Sequence, residues 1–168
     1  SFHATKNIQC GEGGALVVNN PKYIERAEII REKGTDRSKF FRGEVQKYQW
    51  VDQGSSYLLA ELLAAQLLGQ LENFNEIHDR REQIFLRYKR LLHAWSESTT
   101  FSLPFVREQD SHKAHMFYLV ATNRESRDEL IRELDESGIK GTFHYQSLGS
   151  SLKGRNYRSE PDQLPVSE

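Results

Sequence analysis

The stretch "SFHATKNIQCGEGGALVVNN" occupies residues 1–20. A lysine, Lys6, stands among small polar neighbours: Ser1, His3, Thr5 and Asn7. Gly11, Gly13 and Gly14 follow, where backbone can approach another group closely. Residues 15–18 are all apolar and predict a short buried strand. Asn20-Pro21 then predicts a helix start, because Asn caps well and proline at the first helical position needs no N–H. Ile24, Ala27 and Ile30 form its apolar stripe, and Gly34 is the expected C-cap.

Working outward, residues 35–56 show no apolar period. Phe40, Phe41, Tyr48 and Trp50 alternate with Arg37, Lys39, Arg42 and Lys47. Two readings are open for such a loop. Its rings pin it to a core, which is the simpler one, or it lines a site or reaches a second subunit. Residues 57–73 predict a helix capped by Ser55 or Ser56, with leucines on more than one stripe. That pattern suits a domain junction or an oligomer interface. A second helix is expected at about 75–95, either separate from the first or continuous with it through a bend. The run Asp79-Arg80-Arg81-Glu82 reads as a solvated face of it.

The last third changes pattern. Residues 116–120 predict a strand. Ser126 to Glu129 reads as a capping box, Leu130, Ile131 and Leu134 form a buried stripe, and Gly138 ends the helix. Residues 139–145 predict another strand. The expected product is a small α/β domain over 99–168, and both chain ends read as those of a fragment.

Composition narrows the function. The 168 residues are 37% hydrophobic and 28% charged, with a formal net charge of −1. That balance gives no electrostatic footprint for nucleic acid, so no nucleic-acid partner is expected. No apolar run reaches membrane-spanning length, and no targeting segment is visible. The single cysteine, Cys10, excludes an internal disulfide and reads as a small filler beside a strand; a cytoplasmic setting is the simplest expectation. Among the six histidines, His112 and His115 are three apart and the others scattered, so no metal site is expected.

Lys6 is the candidate for chemistry. A lysine joins an aldehyde only as the neutral amine, which needs burial or a nearby cation. Hydroxyls and amides beside it suit a phosphate-bearing ligand. The residues alone leave that reading open beside the plain one, a solvated surface lysine ahead of a glycine turn.

A resemblance bears on the choice. "SFHATKN" followed by "GEGGALVVN" resembles the cofactor-lysine segment of the DegT/DnrJ/EryC1/StrS sugar aminotransferases. Residues 25–72, "AHMFYLV" at 114–120 and "FHYQSLG" at 143–149 are similar to its dTDP-4-amino-4,6-dideoxygalactose transaminase branch. The resemblance implies the C-terminal part of a fold-type I transferase dependent on pyridoxal 5′-phosphate. Residues 1–56 would close its large cofactor domain, 57–98 would be linking helices, and 99–168 the small α/β domain.

The resemblance also implies roles. Lys6 would form the Schiff base with the cofactor, and Ser1 would bind its phosphate. Ser56 stands where many members have an Asn that reaches the phosphate of the partner subunit's cofactor; a serine can still donate one hydrogen bond. His3 would lie near cofactor or sugar. Tyr48 and Trp50 stack on a nucleobase or sugar, or simply anchor their loop. His144 reads as structural from its strand setting, and the resemblance adds a substrate-side role. Ser147-Leu148-Gly149 replaces the branch's "PLH". Lys6 itself argues against the family's dehydratases, which have His at that position.

The implied reaction is transamination of a nucleotide-linked 4-keto-6-deoxyhexose, such as a dTDP-sugar, with L-glutamate as donor. It would serve cell-surface polysaccharide or antigen synthesis, in a homodimer with a shared active site. The phosphate loop, the stacking aromatic and the acid on the pyridine nitrogen are expected upstream of Ser1, so residues 1–168 alone are expected to be inactive. The competing reading is a non-catalytic truncated dimerisation module of the same fold.

Overall fold

The computed structural model describes residues 1–107 and 112–157. Residues 158–168, which carry the final prolines, lie outside the described residues. The chain divides into two compact units. Ser1–Glu97 joins Leu103–Tyr118 in the first, and Ser98–Ser102 joins the chain from Leu119 in the second.

Asn20 starts the first helical segment as its chemistry dictates. Its side chain accepts from Lys22 N at 3.1 Å, a 3₁₀ turn follows over Pro21–Tyr23, and α1 runs Ile24–Arg31. The helix stops short of Gly34. Lys33 and Gly34 are both left-handed, with φ of 63° and 78°.

That double turn folds residues 50–57 back over the helix end. The final carbonyls of a helix lack partners of their own. Here Gly34 N donates to the Ile29 carbonyl, Ser55 N to Ile30 and Tyr57 N to Arg31, at 2.8, 2.9 and 3.1 Å. Antiparallel bridges join Glu32 to Ser56 and Thr35 to Trp50. The two backbones meet with no room for a side chain: a Cβ on Gly34 would land on the Asp52 carbonyl, and one on Gly54 on Gly34 itself.

The loop within this turn is more ordered than its sequence pattern suggests. It contains a short helix, α2 (Arg37–Phe41). Phe40 meets Tyr48 edge-on at 5.8 Å, and the Arg37 guanidinium lies 5.0 Å from the centre of the Phe41 ring. The rings pin the loop to itself, while backbone bonds pin it to α1. Glu32 is buried and takes Arg31, Arg37 and Ser38. Exposed pairs ring the outside, among them Arg26–Asp52, Lys39–Glu25 and Arg42–Glu28. A hydrogen bond to Glu25 raises the Lys39 pKa, and one from Arg42 lowers that of Glu44. At such exposure, pairs of this kind add little stability.

α3 begins at Glu61, not at 57, and neither serine caps it. Ser55 and Tyr57 have already spent their N–H groups on α1, and Ser56 is bridged to Glu32. α3 (Glu61–Glu72) and α4 (Phe74–Glu97) are separate helices broken at Asn73. Asn73 closes one by donating from Nδ2 to the Gly69 carbonyl at 2.8 Å, and opens the next by accepting from Ile77 N. Leu62, Leu68 and Leu71 of α3 stay exposed. On α4, Phe85 is buried against His112 and Phe117, and Tyr88 stacks on Phe117.

In the second unit, α5 spans Arg124–Glu136. Its cap is Asn123, three residues before the start of the expected box, and Ser126 N is the donor to Asn123 Oδ1 at 2.8 Å. Asparagine is at least as good a cap as serine, and Asn123 already has the extended backbone a cap requires. Gly138 ends the helix as expected, with φ of 75° and Ile139 N bonded to the Leu134 carbonyl.

The expected strands are where the sequence reading departs from the structure. Residues 15–18 and 139–145 carry no ladder, and 116–120 contributes only Val120, bridged to Ser102. Leu16 and Val17 are exposed. A strand exists only through a neighbour, and among the described residues no backbone ladder joins these runs beyond the single Val120–Ser102 bridge. Among the described residues the helices of the α/β expectation form, but its sheet does not: three isolated bridges stand in its place.

The contact between Gly34 and Asp52 gives a direct test. In the full-length protein, Gly34→Ala should lower stability by more than about 3 kcal/mol, since it adds a backbone clash to a left-handed φ. Gly43 has a φ of 75° but open space, so Gly43→Ala should cost only about 1 kcal/mol. Urea unfolding of both variants measures the difference.

Candidate functional site

Lys6 lies on a turn between two paired arms. Phe2 N donates to the Gly13 carbonyl at 2.7 Å, Ala4 N to Gly11 at 2.8 Å, and Cys10 N returns to Phe2 at 2.9 Å. Lys6 N closes the turn on the His3 carbonyl at 2.9 Å. Gly11 permits the return with a φ of 88°. The core of this loop is Cys10, fully buried, whose Sγ donates to the Glu12 carbonyl at 3.3 Å. Gly13 fits against it because a Cβ there would come within 2.9 Å of Cys10 Sγ.

The polar groups sort themselves around this turn. His3 Nδ1 meets Thr5 Oγ1 at 3.0 Å, and its Nε2 lies 3.5 Å from Glu12. Ser1 Oγ faces the His3 N–H at 3.4 Å and is otherwise exposed. Lys6 is exposed and forms no ion pair among the described residues. The turn fixes the Lys6 backbone but leaves its amine exposed, so the burial that favours the neutral form is not supplied by this loop, while Ser1 keeps a hydroxyl on the same loop. These residues fit a lysine-held, phosphate-bearing cofactor.

The loop is fastened from below by a residue whose role the sequence reading passed over. Asn7 Nδ2 donates to the Lys113 carbonyl at 2.6 Å, and Asn7 Oδ1 lies 2.8 Å from His115 Nδ1. Arg81 of α4 donates to the carbonyls of Ala114 and His115 at 3.2 and 2.5 Å. Arg81 is therefore no solvated helix residue. Its flanking charges disguised it; the one available signal was that Asn7 directly follows Lys6. A cavity of about 200 Å³ borders Asn7, Ile8, Phe74, Ile77, His78 and Lys113, on this anchoring side of the loop.

The other candidates belong to other segments. Tyr48, Trp50 and Ser56 belong to the segment stitched onto α1. Tyr48 packs on Phe40, Trp50 is exposed, and Ser56 is held by its bridge to Glu32. His144 belongs to the second unit, edge-on to Tyr145 at 4.5 Å. No cluster of three His, Cys, Asp or Glu able to hold a metal ion occurs among the described residues. No helix among them is long and apolar enough to cross a membrane.

The model of the DegT/DnrJ/EryC1/StrS aminotransferase family matches residues 1–168. The chain belongs to that family. Aminotransferases of this family depend on pyridoxal phosphate. Solved structures give the same fold. PseC of Helicobacter pylori, an aminotransferase of pseudoaminic acid biosynthesis, aligns over 99% of this chain and 44% of its own, with TM-score 0.80 and 23% identity. DesV of S. venezuelae, solved with a ketimine intermediate, aligns over 98% of this chain and 41% of its own, with TM-score 0.78 and 28% identity. The sugar aminotransferase Spr1654 of Streptococcus pneumoniae, a putative assignment in its PLP form, aligns over 94% and 40%, with TM-score 0.73 and 20% identity. The chain thus spans about two fifths of the length of the aminotransferases it matches.

Burial of Cys10 makes the state of the Lys6 loop measurable. In the full-length protein its thiol should react with an aromatic disulfide reagent only upon unfolding. Gly13→Ala, which presses on the sulfur, should raise that rate under native conditions by about tenfold or more, as expected for roughly 1.4 kcal/mol lost from local stability.

Proposed function

We propose that this chain supplies the Schiff-base lysine and a phosphate contact of a pyridoxal-phosphate-dependent sugar aminotransferase. The carrying observation is the Lys6 turn: an exposed amine without an ion pair among the described residues, on a loop bonded across both arms. Lys6 Nζ would hold the cofactor through a carbon–nitrogen double bond to its aldehyde carbon. Released by the amino donor, Nζ would take the proton from the donor's α-carbon as base and, as acid, deliver it to the cofactor carbon C4′. Bound there, pyridoxal phosphate supplies the electron sink for the carbanion. The Ser1 hydroxyl would donate to the cofactor phosphate, with His3 alongside.

The substrate we infer is a nucleotide-linked 4-keto-6-deoxyhexose, aminated at C4 with L-glutamate as donor, for cell-surface polysaccharide synthesis in the cytoplasm. The full-length protein would work as a homodimer. The exposed leucines of α3 support an apolar contact surface, and Ser56, Tyr48 and Trp50 would approach the partner's site from their stitched loop.

The test uses the full-length protein with pyridoxal phosphate. A visible absorption band, lost in Lys6→Ala together with transamination of dTDP-4-keto-6-deoxyglucose, is the expected result. Activity should fall by about a thousandfold or more, as removal of a proton-transferring group does. An intact protein without a Lys6-dependent band would overturn the assignment. A band without turnover of this sugar would overturn the substrate alone.

A further inference from the structure

We propose that Asn7 is a positioning residue for Lys6, and that His115 and Arg81 fix Asn7 in turn. The proposal rests on the reading of Lys6 above. Lys6 and Asn7 are adjacent, so whatever immobilises Asn7 also fixes the point from which the Lys6 side chain departs. The Asn7 amide is engaged at both ends, by the Lys113 carbonyl and by His115. Because Nδ2 donates to Lys113, Oδ1 accepts, and His115 must carry its proton on Nδ1.

The segment that receives Asn7 is itself held in an unusual shape. Ala114 is 5% exposed and has a φ of 46°, a conformation that residues with a Cβ adopt rarely and at a cost. This kink directs the carbonyl before it and the imidazole after it to the same amide. Its N–H donates to His112 Nδ1 at 3.1 Å, and Arg81 holds its carbonyl. A strained, buried and multiply bonded anchor is more than a surface turn requires. It is what an amine that must meet a carbonyl carbon in fixed geometry requires, where a displacement of about 1 Å costs roughly a hundredfold in rate. Through Arg81, the frame of that anchor is the long helix α4.

The test compares Asn7→Ala, His115→Leu and His115→Asn in the full-length holoenzyme. The readouts are the absorption band of Lys6-bound pyridoxal phosphate with its pH titration, the rate of borohydride trapping at Lys6, cofactor affinity, and kcat against KM for the amino donor. Asn7→Ala and His115→Leu should each slow kcat and weaken cofactor retention by about tenfold or more, with KM little changed and the band's pH titration shifted. His115→Asn, whose Nδ2 is attached to Cγ as the imidazole Nδ1 is and can donate to Asn7 Oδ1, should recover most of the loss. An Asn7→Ala protein with wild-type band, titration and kcat overturns the proposal, whatever its melting temperature. If Asn7→Ala does not fold, identical behaviour of the two His115 variants overturns it. A wild-type protein without a Lys6-dependent band overturns the reading of Lys6, and this proposal with it.

Discussion

The carbonyls at the end of α1 need partners, and the chain's response to that need shapes much of the first unit. Residues 50–57 supply the missing N–H groups, which requires the backbone to reverse at Lys33 and Gly34 and to lie flat against Gly54. Once Ser55, Ser56 and Tyr57 are committed there, the next helix must wait until Glu61. The aromatic loop between the two attachment points is thereby closed at its base, and its rings need only pack on each other.

A second constraint governs the lysine. The Lys6 turn owes its position to backbone pairing across its arms, to a buried sulfur at its root, and to one amide that reaches a kinked segment gripped by α4. These bonds hold the loop, and the Lys6 amine forms no ion pair among the described residues. On the proposed reading, reactivity and order are divided between neighbours: Lys6 would carry the amine chemistry, and Asn7 the anchoring.

Local chemistry was legible in the sequence wherever a residue acts on its own neighbours. Asn20-Pro21 opened a helix, Gly138 closed one, and the long amphipathic pattern of α4 was readable from Phe85, Tyr88 and Leu91. Long-range commitments were not. Nothing in Ser55-Ser56 tells that their backbone serves another helix, and Asn123 outcompetes Ser126 as a cap only because of the backbone angle at its own position. The apolar runs at 15–18, 116–120 and 139–145 have strand character, but pairing is a property of two segments, and the described residues give them almost none. For the candidate site, Ser1, His3 and Lys6 fell together because they share one loop. The grip on Asn7 comes from more than 100 residues along the chain, at Lys113 and His115, and from an arginine masked by its charged neighbours.

The meeting of Gly34 and Gly54 also bears on how such a site can diversify. Main chain lies against main chain there, with the Trp50 indole nitrogen at the margin of the contact. Small substitutions have no grip on the placement of the loop, which behaves as a fixed stem. Variation is left to what the stem displays, chiefly the exposed rings of Phe41 and Trp50. If the loop lines a site, as proposed above, those faces could be exchanged while the glycines stayed in place, so that the loop's chemistry would drift without its address changing.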